Sequence, residues 1–413
     1  MPAASATALV VGGGIIGHAC ALALQREGWR VTLVAPDEPR AAPSWGNAGH
    51  IATEQVEPLA TLATLRSAPR RWHRFGGPLD LREPWRHARW LARFVRACAP
   101  ARAAAGRAAL RGLLADALPA WRRLAQAIDA PELLLEAGHW LCWESARSAA
   151  RGAAAWQGAE LGSARCMALA QAQRTLLQAQ LQVPVAGALA FEHTAQIADL
   201  ATLARRLELA LVRAGGLVRR RRVQALQAAN GRVHALDADR VRLDADFIVV
   251  CAGVHSRGLL APLGFAVPLI AERGYHLQWS RHDWPRLPPL VFEDRAVILT
   301  RFDSGLRLAG HVEFAAPDTP ADPRKWARLR RHAAQLGLPV HGEPTAWFGA
   351  RPTLPDYLPA LGVGERYHNL AYACGHQHLG LTLAATTGEL IARGCSEPAA
   401  RGPLAAFGLG RFD

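Results

Sequence analysis

Gly12, Gly14 and Gly17 stand at G-x-G-x-x-G spacing, an arrangement that presents backbone to an anion. The first glycine allows a tight turn, the second lets a pyrophosphate approach the main chain, and the third lets a helix pack closely on the preceding strand. Ile15 and Ile16 then open a helix whose unpaired N–H groups and positive dipole end face the phosphates. A second glycine turn, Gly375-His376-Gln377-His378-Leu379-Gly380, precedes a helical stretch reaching about Ala392 and is a further candidate for an anion or carbonyl. Two such sites far apart in one chain suit FAD better than a nicotinamide, because FAD is long and distant segments hold its two ends. His50, His376 and His378 are candidates for aiding deprotonation of a substrate or for positioning it through hydrogen bonds. The seven cysteines show no C-x-x-C and no paired Cys/His spacing, so no metal site is expected and a reducing compartment is indicated.

These residues need a scaffold, and the hydrophobic pattern supplies one. Ala8 to Val11 reads as a buried parallel strand, Ile15 to Arg26 as a helix, and Arg30 to Val34 as the strand that closes a βαβ unit. The acid that ordinarily ends the second strand and holds the adenosine ribose falls at Ala35, so Asp37 is the nearest carboxylate for that role. Ser44-Trp45-Gly46-Asn47-Ala48-Gly49-His50 is rich in small residues and backbone donors. It suits a segment lying against a flat polar ring, and equally an ordinary surface loop. Glu54 to Asp129 reads as a helical insertion, and Ile197 to Ala214 as a helix. Val223 follows the arginine run Arg219 to Arg222, where its backbone could meet an adenine. Asp246 to Cys251 is a second buried strand, ending in Ala252-Gly253, where small residues let a ligand lie close. From Val267 to Phe314 the alternation predicts antiparallel strands, and Asp322 to Leu336 an amphipathic helix. The expected fold is α/β, α+β overall. It has a Rossmann-like FAD-binding domain of residues 1–60, 186–265 and 345–413, and a discontinuous substrate domain of antiparallel sheet plus helices over 61–185 and 266–344.

The chain has 413 residues, half of them hydrophobic, and a net charge of +14. That charge is compatible with nucleic acid, an anionic membrane surface or anionic substrates. No aromatic and basic RNA-reading motif accompanies it, so nucleic acid is not expected as a partner. Lys325 is the only lysine, and the arginine and alanine bias is equally accounted for by base composition. No run approaches the roughly 18 to 20 apolar residues of a spanning helix. The expectation is a cytoplasmic protein, with attachment to the inner-membrane surface left open.

Five stretches together carry a resemblance: Gly12 to Gly17, SWGNAGHI at Ser44 to Ile51, Val250 to Gly253, Gly349-Ala350-Arg351-Pro352-Thr353-Leu354-Pro355-Asp356, and Gly375 to Ala384. The chain resembles the FAD-dependent D-amino-acid oxidase and dehydrogenase superfamily, which also contains glycine and sarcosine oxidases. SWGNAGHI and ARPTLPD look most like bacterial D-amino-acid dehydrogenases, and among those the enzymes that oxidise cis-4-hydroxy-D-proline. The resemblance implies hydride transfer from the substrate α carbon to flavin N5, giving an imine, with electrons passed to a quinone or an acceptor protein. An oxygen-using oxidase and a tRNA-modifying FAD protein are the alternatives. By the same resemblance Arg351 grips the substrate carboxylate and Tyr275 stands over it. Asn47 to His50 lie along the flavin, with Ser44, Trp45 and Gly46 leading in. Val223 and Gly253 flank the adenosine half, the segment from Gly375 through His376, Leu379, Gly380 and Leu381 to Thr382 points backbone donors at the pyrimidine end of the flavin, and Cys251, Ala252, Gly349 and Arg351 are further cofactor contacts.

Overall fold

Thr7–Val11 is apolar after its first residue, and its last four side chains are buried, as the centre of a parallel sheet requires. The computed structural model describes residues 6–36, 42–73 and 77–413. Among them, six strands form one sheet in the order Leu217–Arg220, Arg30–Ala35, Thr7–Val11, Phe247–Val250, Leu370–Cys374 and Ala360–Val363. All neighbours are parallel except the last pair. Val11 and Val250 are partners in register, so everything between the second strand and Phe247 is carried as insertion or returns to this sheet. Helices Ile15–Arg26 and Ala384–Ser396 lie together against it. A Cβ at Gly388 would come within 2.6 Å of the Ala19 carbonyl oxygen, so small residues set how closely the two helices approach. Helix Leu200–Arg213 is capped by Asp199, whose carboxylate accepts from the Thr202 N–H at 2.7 Å, and it buries Leu203, Leu207 and Leu211 at helical spacing.

A larger sheet builds the other layer. Among the described residues it runs Thr345–Thr353, Ile270–Trp279, Gly305–Ala315, Val297–Phe302, Leu290–Phe292, His139–Trp143, Gly187–Glu192 and Arg165–Ala168, with Leu79–Leu81 also paired to Gly305–Ala315. Helix Pro323–Leu336 covers one face, packing Leu329, Ala333 and Leu336 against Tyr275, Leu277 and Leu308. The alternation of Ile270–Trp279 sends Glu272, Gly274 and His276 to the opposite face, toward the glycine turn and its loop.

Several sequence expectations are corrected here. Strands Gly187–Glu192 and Thr345–Thr353 pair within the larger sheet, although both were expected in the nucleotide-binding part. Their alternating patterns suit either layer, and only long-range pairing assigns them. The helix expected from Ile197 starts at Leu200, because Ala195–Ile197 pairs with His50–Ile51. The final helix starts at Ala384 and not at Gly380; a short 3₁₀ turn, Gln377–Leu379, intervenes.

Candidate active site

Two of the three glycines are required by packing. A Cβ at Gly12, whose φ is +121°, would overlap the Cys251 carbonyl, and one at Gly17 would overlap the Gly12 carbonyl. Gly14 differs: a Cβ there would meet only Ser44 Oγ at 3.2 Å and Ala42 Cβ at 3.8 Å, both from the facing loop. At Gly253, with φ +57°, a Cβ would find no atom within 4 Å. Both positions open into a cavity of about 1990 Å³, lined at this end by Gly12 to Ile16, Arg220 to Val223 and Cys251 to Gly253. Ordinary ligand pockets hold roughly 300–1,000 Å³, so this space accommodates a dinucleotide together with a small substrate. Bare glycine faces, a helix start and a cavity of that volume fit FAD.

At the end of the second strand, where a ribose-binding acid was expected, Ala35 is buried and its side chain offers no acceptor. Asp37 lies outside the described residues. Arg220 stands beside Ala35 in register and pairs with Glu208 of helix Leu200–Arg213; both line the cavity. Glu208 was invisible to motif spacing because it comes from a helix some 170 residues downstream of Ala35.

The loop from Ser44 to His50 is stitched between the two layers. Ser44 Oγ accepts from the Ile15 N–H at 3.1 Å. Asn47 spends its side chain on the loop itself, donating to the Ser44 carbonyl at 2.8 Å and accepting from the Gly49 N–H at 2.7 Å. From the larger sheet, Thr300 Oγ1 donates to the Ala48 carbonyl at 2.9 Å, Arg307 to the Asn47 carbonyl, and His276 Nδ1 to the Gly46 carbonyl at 2.8 Å. Burial lowers the His276 pKa to about 3, so it donates as a neutral ring. His276 also stacks on Trp347 at 4.9 Å, and Trp347 fills the space beside Gly46 and Gly349.

Arg351 occupies the far end of the same cavity. Its guanidinium lies over Gly274, where a Cβ would overlap Nη2, and its Nη1 donates to Glu272 Oε1 at 3.1 Å. Glu272 is buried, and its other oxygen accepts from Thr353 Oγ1 at 3.1 Å and Tyr357 Oη at 3.2 Å. Arg351 remains 28% exposed, so a fixed cation faces the cavity with donors to spare. His378 also lines this region. Its Nε2 donates to Gln55 Oε1 at 2.5 Å, leaving Nδ1 a lone pair, and burial lowers its pKa to about 4, with Glu272 opposing and Arg351 assisting. His376 is tied to Thr387 Oγ1 at 3.0 Å and lowered by burial to about 3.

His50 meets two partners that sequence reading passed over. Its Nε2 is 3.5 Å from Glu54 Oε1, and its ring stands edge-on to His139 at 4.5 Å. His139 is held by Thr194 Oγ1 at 3.0 Å and by stacking on Phe191, and burial lowers it to about 3. Burial alone would raise the Glu54 carboxyl; His139 and His50 outweigh it and hold the group below the usual carboxylate range. All three line the cavity. The four-residue interval from His50 to Glu54 was a readable signal, whereas His139, on a strand of the other layer, offered none.

Tyr275 lines the cavity, but its hydroxyl is bound to groups other than the Arg351 guanidinium. It points to the helix-covered face, where its hydroxyl donates to Glu313 at 2.8 Å and accepts from Arg273 at 2.9 Å and the Asp322 N–H at 3.1 Å. Lys325 completes that buried group through Glu313 and Asp80. Five proposed cofactor contacts sit behind the cavity wall. Gly17 lies under Gly12, Gly49 faces Phe302, and Gly375, with φ +74°, faces Leu354. Leu379 is core, and Thr382 Oγ1 accepts from the Ala52 N–H at 3.0 Å. The remaining described candidates, Ile15, Ile16, Ser44 to Ala48, His50, Val223, Cys251 to Gly253, Gly349, Arg351, His376, Gly380 and Leu381, line the cavity.

A family model described as FAD dependent oxidoreductase, DAO, matches residues 7–393. The chain is 31% identical over 403 residues to a D-amino acid dehydrogenase 2 of Pseudomonas aeruginosa, covering 93% of each. It is 28% identical over 414 residues to a D-amino-acid oxidase of Bradyrhizobium diazoefficiens, covering 98% of each. Among solved structures, a glycine oxidase of Geobacillus kaustophilus superposes with a TM-score of 0.68 at 18% identity, covering 94% of both chains. An L-proline dehydrogenase of P. horikoshii superposes with a TM-score of 0.71 at 13% identity, covering 99% of this chain and 98% of that one.

Proposed function

Because the chain belongs to the DAO family of FAD-dependent oxidoreductases, which bind FAD, we propose that it oxidises a D-amino acid to its imine and passes the electrons to a quinone or an acceptor protein. One observation carries the reading: Arg351, locked by Glu272 and laid flat on Gly274, faces the same cavity that begins at the glycine turn. A guanidinium fixes a carboxylate by two parallel hydrogen bonds, so it sets the angle of the α carbon as well as its position. FAD, when bound, supplies the acceptor for the α-hydrogen as hydride, at N5. The chain's own residues orient the substrate, keep its amine neutral and shield the reaction. His378 Nδ1, which carries a lone pair near Arg351, is placed to accept a hydrogen bond from the amine and orient it. The names of the two curated relatives support the D-series, and the SWGNAGHI and ARPTLPD stretches support a cyclic substrate, D-proline or cis-4-hydroxy-D-proline. The polar wall formed by His50, Glu54 and His139 is compatible with a hydroxylated ring.

Anaerobic addition of D- and L-amino acids, followed by flavin absorbance, tests this directly. Bleaching by D-proline or its cis-4-hydroxy derivative is expected; bleaching by L-enantiomers alone would overturn the stereochemistry. Exposing the reduced enzyme to air separates the acceptors: slow reoxidation fits a dehydrogenase, and rapid peroxide release would replace it with an oxidase.

A further inference from the structure

The segment from Leu59 to Arg102 carries ten arginines against two acids, Asp80 and Glu83, and the first of those is neutralised by Lys325. Within it, helix Ala88–Ala97 and the turn Pro84–His87 before it show three stripes. Trp90, Phe94 and Ala97 face inward, where Trp90 Nε1 donates to the Thr353 carbonyl at 3.3 Å and packs with Phe314 and Tyr357. Trp85, Ala88, Ala92 and Val95 form an outward apolar stripe, with Trp85 72% and Val95 55% exposed. Arg86, Arg89, Arg93 and Arg96 run alongside it, one position on, and all are exposed. Among the described residues Arg89 and Arg96 make no ion pair, and Arg86 meets only Glu83, at 3.3 Å. The neighbouring helix Leu62–Ser67, backed by the same apolar cluster through Leu65, adds exposed Leu62 and Arg66.

We propose that this face, Trp85 to Arg96 with Leu62 and Arg66, docks on an anionic lipid bilayer and lies in its interface. The proposal rests on the quinone reading above only for its purpose, not for its surface. An exposed tryptophan and valine between arginines suit the headgroup level, where an apolar stripe dips below a layer of negative charge. An apolar stripe with a row of arginines along its flank matches the layering of a bilayer, hydrocarbon beneath anionic headgroups. Among the described residues no helix is long and apolar enough to cross a membrane, so the contact is peripheral. The position also has a use: Leu59 and Arg71 of the same segment line the cavity, and the inward stripe packs on Tyr357, which holds Glu272. A lipid-dissolved acceptor would therefore meet the protein at a segment that also lines the cavity.

Flotation of the FAD-loaded full chain with vesicles of phosphatidylcholine, alone or with phosphatidylglycerol, tests it. Binding is expected only to the anionic vesicles and to weaken as salt rises. Each arginine near an anionic surface strengthens binding about fivefold, so Arg89→Gln/Arg93→Gln/Arg96→Gln together should weaken it by about 100-fold. Trp85→Ala should weaken it further, and bleaching by substrate in solution should be unchanged in all variants. Equal binding to neutral vesicles, no binding to anionic ones, or a triple variant that floats like the parent would each overturn the proposal. A triple variant that instead splits a dimer in sedimentation would assign the face to a second copy of this chain and overturn it as well. A lost flavin reaction with intact vesicle binding would refute the functional reading and leave the surface standing.

Discussion

Removing the guanidinium at Arg351 is the sharpest perturbation of this site. In Arg351→Met the buried Glu272 loses its cation and one of its three hydrogen bonds and keeps Thr353 and Tyr357 as donors. A substrate carboxylate then loses its only charged partner in this reading. Truncating one side of a buried charge pair costs about 2–5 kcal/mol. Arg351 is more than a quarter exposed, so the low end applies and a 30- to 300-fold weaker carboxylate is expected. Arg351→Lys keeps the charge without the fork and should lose about 5- to 30-fold. Gly274→Ala is the subtler probe: its methyl overlaps Nη2 and displaces the guanidinium without changing its charge, so it should behave like the lysine variant. Anaerobic titration with a D-amino acid and with its carboxamide measures the effect through flavin absorbance. The wild type should prefer the acid strongly, and Arg351→Met should bind acid and amide alike. If acid and amide weaken by the same factor, or if FAD content falls with substrate affinity, Arg351 is a brace between layers and not a carboxylate grip.

Further outcomes follow from other parts of the molecule. Gly17→Ala would push a methyl into the Gly12 carbonyl, and the purified protein should be colourless and take up no added FAD. Glu208→Gln should raise the FAD dissociation constant about tenfold, by loss of a charged hydrogen-bond acceptor at the ribose end, read by flavin fluorescence; an unchanged constant would free that residue of the role. Lys325→Met would leave Asp80 without its cation and Glu313 with Arg273 alone, in the covered face of the larger sheet. It should cost about 3–5 kcal/mol in a urea titration, and an unshifted midpoint would deny the group its structural part. Acid stability is the last. His139, His276, His311 and His376 are all buried and lowered to about 3, mainly by burial, so between that value and the ordinary 6.5 the unfolded chain binds protons that the folded chain does not. Stability must therefore fall as pH falls, by about 2 kcal/mol per imidazole from pH 7 to pH 5. A melting temperature that is flat over that interval would show these rings protonated in the fold.

The sequence by itself determined the nucleotide end. Strand, glycine turn and helix are contiguous, so their geometry follows from local rules: only glycine fits at Gly12 and Gly17, and the helix start must come next. The returning strand at Phe247–Val250 was legible for a similar reason, since a strand buried on both faces must be apolar throughout. Tertiary structure decided the Arg351 end of the cavity. The side to which Tyr275 points depends on which face of Ile270–Trp279 the helix Pro323–Leu336 covers, and alternation alone serves either answer equally well. Glu272 with Arg351, His50 with His139 and Glu208 with Ala35 lie 79, 89 and 173 residues apart along the chain. No local energy links such positions; they meet because two sheets, each buried on one side by its own helices, must close over a shared cavity.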